Sequence, residues 1–146
     1  MSTEDVLASV SLFQRLDKKQ IRQLARLVRE QQFPEGHKIV EEGQEGLGLY
    51  VIAEGEAEVV RGGTVIGRLG PGKFFGEMSL LDDMPRTATV RAVTPVRCMS
   101  LTKWEFLGEL SVHPQMALPM LPMLVRRVRA AEEQVDRLKA EFTRDS

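Results

Sequence analysis

Phe74-Phe75-Gly76-Glu77-Met78-Ser79-Leu80-Leu81-Asp82-Asp83-Met84-Pro85-Arg86-Thr87-Ala88-Thr89-Val90 is the most informative stretch of the chain. Gly76 lets the backbone turn and lets a ligand approach closely. Glu77 to Leu81 can close one helical turn, and the free amides at such a start attract anions. Pro85 stiffens the return into a strand. Arg86 then stands at the strand start, where its planar fork can grip two oxygens of a phosphate. Thr87 adds a hydroxyl and Ala88 keeps the floor small. A lone Glu77 among these groups does not serve phosphate; its chemistry suits a sugar hydroxyl. Anion-binding amides, an arginine and a sugar-reading carboxylate together describe a ribose phosphate site.

Outward from this stretch the glycines are uneven: eleven of the twelve fall between Gly36 and Gly76. They divide the chain into a helical start, a turn-rich middle and a helical end. In the middle, His37–Val40, Leu47–Ala53, Glu56–Arg61 and Thr64–Leu69 read as short strands, and Arg61-Gly62-Gly63-Thr64 as a tight hairpin. Thr87–Ala92 alternates, with Ala88, Val90 and Ala92 on one face, and Val96–Leu101 follows Thr94-Pro95. Six or more short strands without helices between them exclude a doubly wound parallel sheet and predict an antiparallel roll. The fold class is thus α+β: an antiparallel β-roll, or jelly roll, flanked by N-terminal helices and a long C-terminal helix. We divide the single domain, 1–146, into N-terminal helices over 1–34, a roll over 35–102 holding the cassette 74–90, and C-terminal helices over 103–146.

At the start, Thr3 to Ser9 predicts a short acidic helix, and Asp17 with Gln20 a capping box. Ile21, Leu24, Ala25 and Val28 mark one buried helical face, ended by Phe33-Pro34. At the other end, Thr102 and Glu105 form a second capping pair ahead of a short helix bearing Trp104, Phe106, Leu107 and Leu110. His113-Pro114 starts a longer helix whose first turns Pro119 and Pro122 bend. Leu121, Leu124, Val128, Ala131, Val135, Leu138 and Phe142 recur at spacings of three and four, as in a heptad seam. The stripe suits a parallel homodimer through Leu121, Leu124, Val128, Val135 and Leu138, with Arg127 attracting Glu132 across it. Packing onto the chain's own roll is the alternative, and Arg126-Arg127-Val128-Arg129 reads as a wet helix face, one of whose arginines can reach a ligand.

Composition excludes several classes. The 20 basic and 21 acidic side chains leave a formal charge of −1, without the basic excess of a nucleic-acid or anionic-membrane binder. One cysteine, Cys98, forbids an internal disulfide framework and a multi-cysteine zinc site. His37 and His113 are far apart, so no metal site or metal-dependent roll enzyme is expected. The N-terminus lacks the apolar core of a signal peptide, and the run from Met116 to Val125 spans about half a membrane. A cytoplasmic protein without membrane or nucleic-acid partner follows.

Phe75-Gly76-Glu77, Leu80-Leu81 and Pro85-Arg86-Thr87-Ala88-Thr89 closely resemble the phosphate-binding cassette of cyclic nucleotide-binding domains. These occur in catabolite-activator regulators, cyclic-nucleotide-dependent kinases and gated channels. The resemblance extends to Phe13, Glu42-Gly43, Gly46, Tyr50-Val51-Ile52, Gly55 and Gly70-Pro71-Gly72, covering roughly residues 10 to 140. It implies that Arg86 pairs with a cyclic phosphate and Glu77 with the ribose 2′-hydroxyl. The amides of Gly76, Met78, Ser79 and Ala88 help hold phosphate or ribose, and Thr87 bonds phosphate or purine. The ligand is then cyclic AMP, with cyclic GMP second, bound without turnover, with no cofactor, and with the last helix closing over the base. In the catabolite-activator type a Thr-Ser pair on that helix reads adenine; counting from Arg86 puts Ala131 and Glu132 there. The usual Gly-Asp before the third strand is Gly46-Leu47, a neutral loop change, and the sequence stops where the DNA-reading helices of such regulators would begin, as expected either of a stand-alone sensor or of a piece of a larger protein. The output is then a fused or associated effector or the dimer seam. A structural roll that serves as an interaction module without ligand is the alternative reading.

Overall fold

The computed structural model describes residues 2–145. Its elements run α1 (Thr3–Ala8), α2 (Lys18–Ala25), β1 (Arg29–Phe33), β2 (Lys38–Val40), β3 (Gly48–Glu54), β4 (Ala57–Arg61), β5 (Thr64–Leu69), β6 (Phe74–Phe75), β7 (Thr89–Ala92), β8 (Val96–Thr102), α3 (Lys103–Val112) and α4 (Leu121–Asp145). Single 3₁₀ turns occupy Ser11–Phe13, Glu77–Leu80 and Pro114–Ala117. Two four-stranded antiparallel sheets face each other, in the orders β1-β8-β3-β6 and β2-β7-β4-β5. This is the expected roll.

Alternation along β3 explains how one sheet serves two interiors, since successive side chains leave a strand on opposite faces. Leu49 and Val51 point to a cluster with the helices, where Val6, Leu7, Phe13, Leu24, Phe106 and Met116 are buried. Tyr50 and Ile52 point between the sheets, with Ile39, Ala57, Val90, Ala92, Val96 and Cys98. Phe13 and Phe106 meet with ring centroids 5.8 Å apart, seating α3 against the N-terminal segment. Leu80, from the cassette turn, is fully buried in the same cluster. The cassette is therefore anchored to the helices by its own apolar side chain.

Local chemistry sets the helix starts. Asp17 accepts from the Gln20 amide at 2.8 Å while Gln20 accepts from the Asp17 amide at 3.0 Å, the capping box read from sequence. Ser2 and Asp5 form another such box. At α3 only half of the expected box forms: Thr102 Oγ1 accepts from the Glu105 amide at 3.2 Å. The Glu105 carboxylate turns instead to Arg29 at 3.2 Å.

Besides β7, which starts at Thr89 rather than at Thr87, two boundaries differ from the sequence reading by several residues. The helix begun at Asp17 stops at Ala25, not at Phe33-Pro34, because Arg29–Phe33 pairs with β8 along its whole length. Its buried stripe is complete at Ile21 and Leu24, and the polar run Arg29-Glu30-Gln31-Gln32 makes an edge strand facing water. The roll thus begins at Arg29 rather than at 35, and the N-terminal helices do not extend to 34. Near the C-terminus, Pro119 does not bend the long helix but separates the Pro114–Ala117 turn from α4. Pro122 lies in the first turn of α4, where its missing N–H removes no helical bond.

Beyond Arg127, α4 leaves the body, with Val128, Val135, Leu138 and Phe142 exposed. Among the described residues no helix is long and apolar enough to cross a membrane, and no group of histidine, cysteine or carboxylate side chains is placed to hold a metal ion. Cys98 is buried as expected, and burial pushes its thiol up to about 11.

Candidate functional site

A cavity of about 530 Å³ opens between the cassette and the β2-β7-β4-β5 sheet. Gly76, Glu77, Met78, Ser79, Arg86, Thr87 and Ala88, the seven residues singled out in the sequence, all line it. They are brought together because the chain turns back twice. Gly76 caps the turn Glu77–Leu80 with φ at +83°, a left-handed conformation that side chains resist, and Pro85 bridges to Glu45. Gly46 lies under the turn: a Cβ there would strike the Ser79 hydroxyl. The loop 43–46 in turn pins Arg86, whose amide donates to the Gln44 carbonyl and whose carbonyl accepts from the Gly43 amide, both at 2.8 Å.

The Arg86 guanidinium is half-buried and only partly satisfied. Its Nη2 donates to the Gly48 carbonyl at 2.7 Å, and its carbon stands 6.0 Å from the Tyr50 ring centroid. Tyr50 is itself held in place by stacking on Phe75, with centroids 5.2 Å apart. Nε is buried and has no acceptor, and no carboxylate among the described residues is ion-paired with this arginine. Burial pulls the guanidinium below the ordinary arginine value, with Tyr50 working against that pull. The same burial pushes the Tyr50 phenol up, and the Arg86 charge opposes it. Buried donors without partners are rare, and this one belongs to a cation that lines the cavity.

Glu77 presents the opposite case. It is 3% exposed and is held by three protein groups. Ser11 Oγ donates to both carboxylate oxygens, at 2.8 and 3.0 Å, and the Leu12 amide donates at 3.2 Å. The Arg127 guanidinium from α4 completes the set as an ion pair. This carboxylate therefore ties together the N-terminal segment, the cassette and α4. Arg127 does not wait at the seam for Glu132, as the heptad reading predicted. It lines the cavity, and no heptad count signals the partner it finds 50 residues upstream.

The other predicted groups take simpler places. The Ser79 amide donates to the Gly76 carbonyl at 3.0 Å, so this amide closes the turn rather than facing the cavity. The Thr87 carbonyl accepts from Arg61 Nε at 3.1 Å, a neighbour the sequence did not single out. Met78 and Thr87 are exposed, whereas Ala88 is half-buried. Behind the cassette, the Lys103 ammonium is buried; it donates to the Asp82 carbonyl at 2.8 Å and pairs with Asp83, fastening the loop to α3. Ala131 and Glu132 are exposed on α4 and do not line the cavity.

Residues 30–113 match the family model of the cyclic nucleotide-binding domain. The CRP-like cAMP-activated global transcriptional regulator of Mycobacterium tuberculosis is 29% identical over 131 residues, 86% of this chain and 58% of that protein. The cyclic AMP receptor protein of Thermus thermophilus is 35% identical over 118 residues, 77% of this chain and 55% of that protein. The chain thus spans rather more than half the length of these two relatives. Among solved structures, the N-terminal domain of a transcriptional regulator from Streptomyces coelicolor superposes with a TM-score of 0.81 at 33% identity, covering 88% of this chain and 96% of that one.

Proposed function

Because the chain belongs to the cyclic nucleotide-binding domain family, we propose that it binds a 3′,5′-cyclic purine nucleotide, cyclic AMP in preference to cyclic GMP, as a signal sensor whose occupancy moves α4. The observation that carries this reading is the Arg86 guanidinium, with a buried, unpartnered Nε at a cavity lined by the cassette. A singly charged cyclic phosphate supplies the acceptor oxygens that Arg86 lacks. The names of the two relatives specify cyclic AMP, which supports adenine as the favoured base. No step of turnover is assigned, and the domain acts by binding.

The coupling to α4 runs through Glu77. A ribose hydroxyl that reaches this carboxylate joins or displaces donors that include Arg127, the residue of α4 that lines the cavity. Ligand then favours one setting of α4 over another, and the transmitted signal equals the difference in affinity between the two. Leu121, Val128, Val135 and Leu138 are about half exposed in a stripe, which supports a homodimer or an attached effector as the receiver. The same stripe supports the second reading, in which the roll is an interaction module without ligand.

Thermal unfolding with cyclic AMP, cyclic GMP and cyclic dinucleotides, run side by side, separates the two. A ligand at a thousandfold excess over its Kd stabilises by about 4 kcal/mol, a shift of several degrees. We expect that shift with cyclic AMP and a smaller one with cyclic GMP. No shift with either leaves the interaction module as the function.

A further inference from the structure

We propose that Arg61 is a specificity-determining residue of this site, reading the acceptor edge of the purine and thereby narrowing the preference for cyclic AMP. The assignment rests on the cyclic-nucleotide reading above. Arg61 ends β4, immediately before the Gly62-Gly63 hairpin, and lines the cavity. Beside it the wall is apolar: Val40, Val59 and Val90 come from three strands of one sheet. A flat base set against that wall loses contact with water and needs a polar group only at its edge.

Arg61 is placed to be that group. Its Nε donates to the Thr87 carbonyl, which fixes the guanidinium one residue along from the phosphate-facing Arg86. Arg61 is exposed at the cavity rim, and its two terminal nitrogens face water with no protein acceptor among the described residues. The neighbouring acid, Glu42, does not neutralise it; that carboxylate accepts from the Gly62 amide at 3.3 Å. One bond therefore orients a planar cation, and its remaining donors point to no protein partner.

Arginine donors distinguish the two purines. Guanine offers two acceptors on one edge, O6 and N7, whereas adenine offers N7 and sets a donor beside it. Arg61 thus supplies one bond to cyclic AMP and two to cyclic GMP. Its contribution runs against the overall preference, and removing it sharpens selectivity.

The experiment measures Kd by calorimetry for wild type, Arg61→Ala and Arg61→Lys with cyclic AMP, cyclic GMP and their 7-deaza analogues. For Arg61→Ala we expect about tenfold weaker cyclic GMP binding and about threefold weaker cyclic AMP binding. Wild type loses affinity when N7 is replaced by carbon, and Arg61→Ala does not. Arg61→Lys keeps part of the N7 effect. Equal losses for both nucleotides, with the 7-deaza penalty intact in Arg61→Ala, show a merely structural tie to Thr87 and overturn the assignment. Wild type that binds both nucleotides while Arg61→Ala binds them equally well also overturns it, and leaves the sensor reading standing. Wild type that binds neither overturns both.

Discussion

The Arg127 guanidinium, from the second turn of α4, is ion-paired to the buried Glu77 carboxylate at the base of the cassette. Beyond the apolar contacts of Met120, Met123 and Leu124, this pair fastens α4 to the site. One end is partly open to water, so breaking it costs about 1–2 kcal/mol, less than a fully buried pair. Arg127→Ala is expected to speed amide exchange about tenfold over residues 121–130, with the strands unaffected. Unchanged exchange there shows that apolar packing alone holds the helix.

Removing the carboxylate has a wider effect. Glu77→Ala strips the acceptor from Ser11 Oγ and the Leu12 amide as well as from Arg127. Leaving buried donors unpaired costs about 1–3 kcal/mol each, so the midpoint of thermal unfolding falls by several degrees. If the ribose assignment is right, the affinity gap between cyclic AMP and its 2′-deoxy analogue narrows in this variant. A variant that keeps the full gap has lost a structural carboxylate and nothing more.

Arg86→Ala separates ligand binding from folding. Within the chain Arg86 makes one side-chain bond, to the Gly48 carbonyl, so unfolding without nucleotide should change little. A buried phosphate losing its charged partner costs about 3–5 kcal/mol, which is a hundredfold or more in Kd. Calorimetry that finds binding within threefold of wild type refutes the phosphate role.

Cys98 gives a dependence on pH. Burial raises its thiol to about 11, so the folded chain holds the proton longer than the unfolded one does. For a group raised on folding, the stabilisation is fully present below the unfolded value and is lost as pH rises through the folded one. Stability should therefore fall from pH about 9 to about 11, and the fall should be shallower in Cys98→Ala. Identical slopes for the two proteins in urea titrations place the alkaline loss elsewhere.

The stripe on α4 offers a last test. Val135→Glu with Leu138→Glu places two charges on exposed apolar positions that no part of the described chain covers. If the stripe is a homodimer seam, sedimentation should show wild-type dimers and variant monomers, with nucleotide binding retained. Two monomeric proteins remove the homodimer and leave an attached effector as the receiver.

Much of this was legible in the sequence, for identifiable reasons. The cassette is contiguous, and its turn depends on local groups such as Gly76 and Pro85, so the seven cassette residues that line the cavity could be named from their order and from the family pattern it resembles, whereas Arg61 and Arg127 could not. Thr64–Leu69 could be bounded because glycine turns flank it. Arg29–Phe33 misled because an edge strand rich in arginine, glutamate and glutamine has no apolar period, and only its pairing with β8 makes it a strand. The partners of Glu77 were invisible for a related reason. Ser11 and Arg127 lie 66 and 50 positions away, brought to it by helices whose packing no local pattern encodes.

The chain carries one sulfhydryl, Cys98, and it is sealed between the two sheets with no exposed surface. A maleimide dye added to the folded protein will thus find nothing to modify. Paired replacements on open positions, such as Glu133→Cys on α4 and Thr64→Cys at the hairpin, would therefore accept fluorophores cleanly in the native background. Energy transfer between them would report, in one cuvette, whether the messenger swings the helix relative to the barrel.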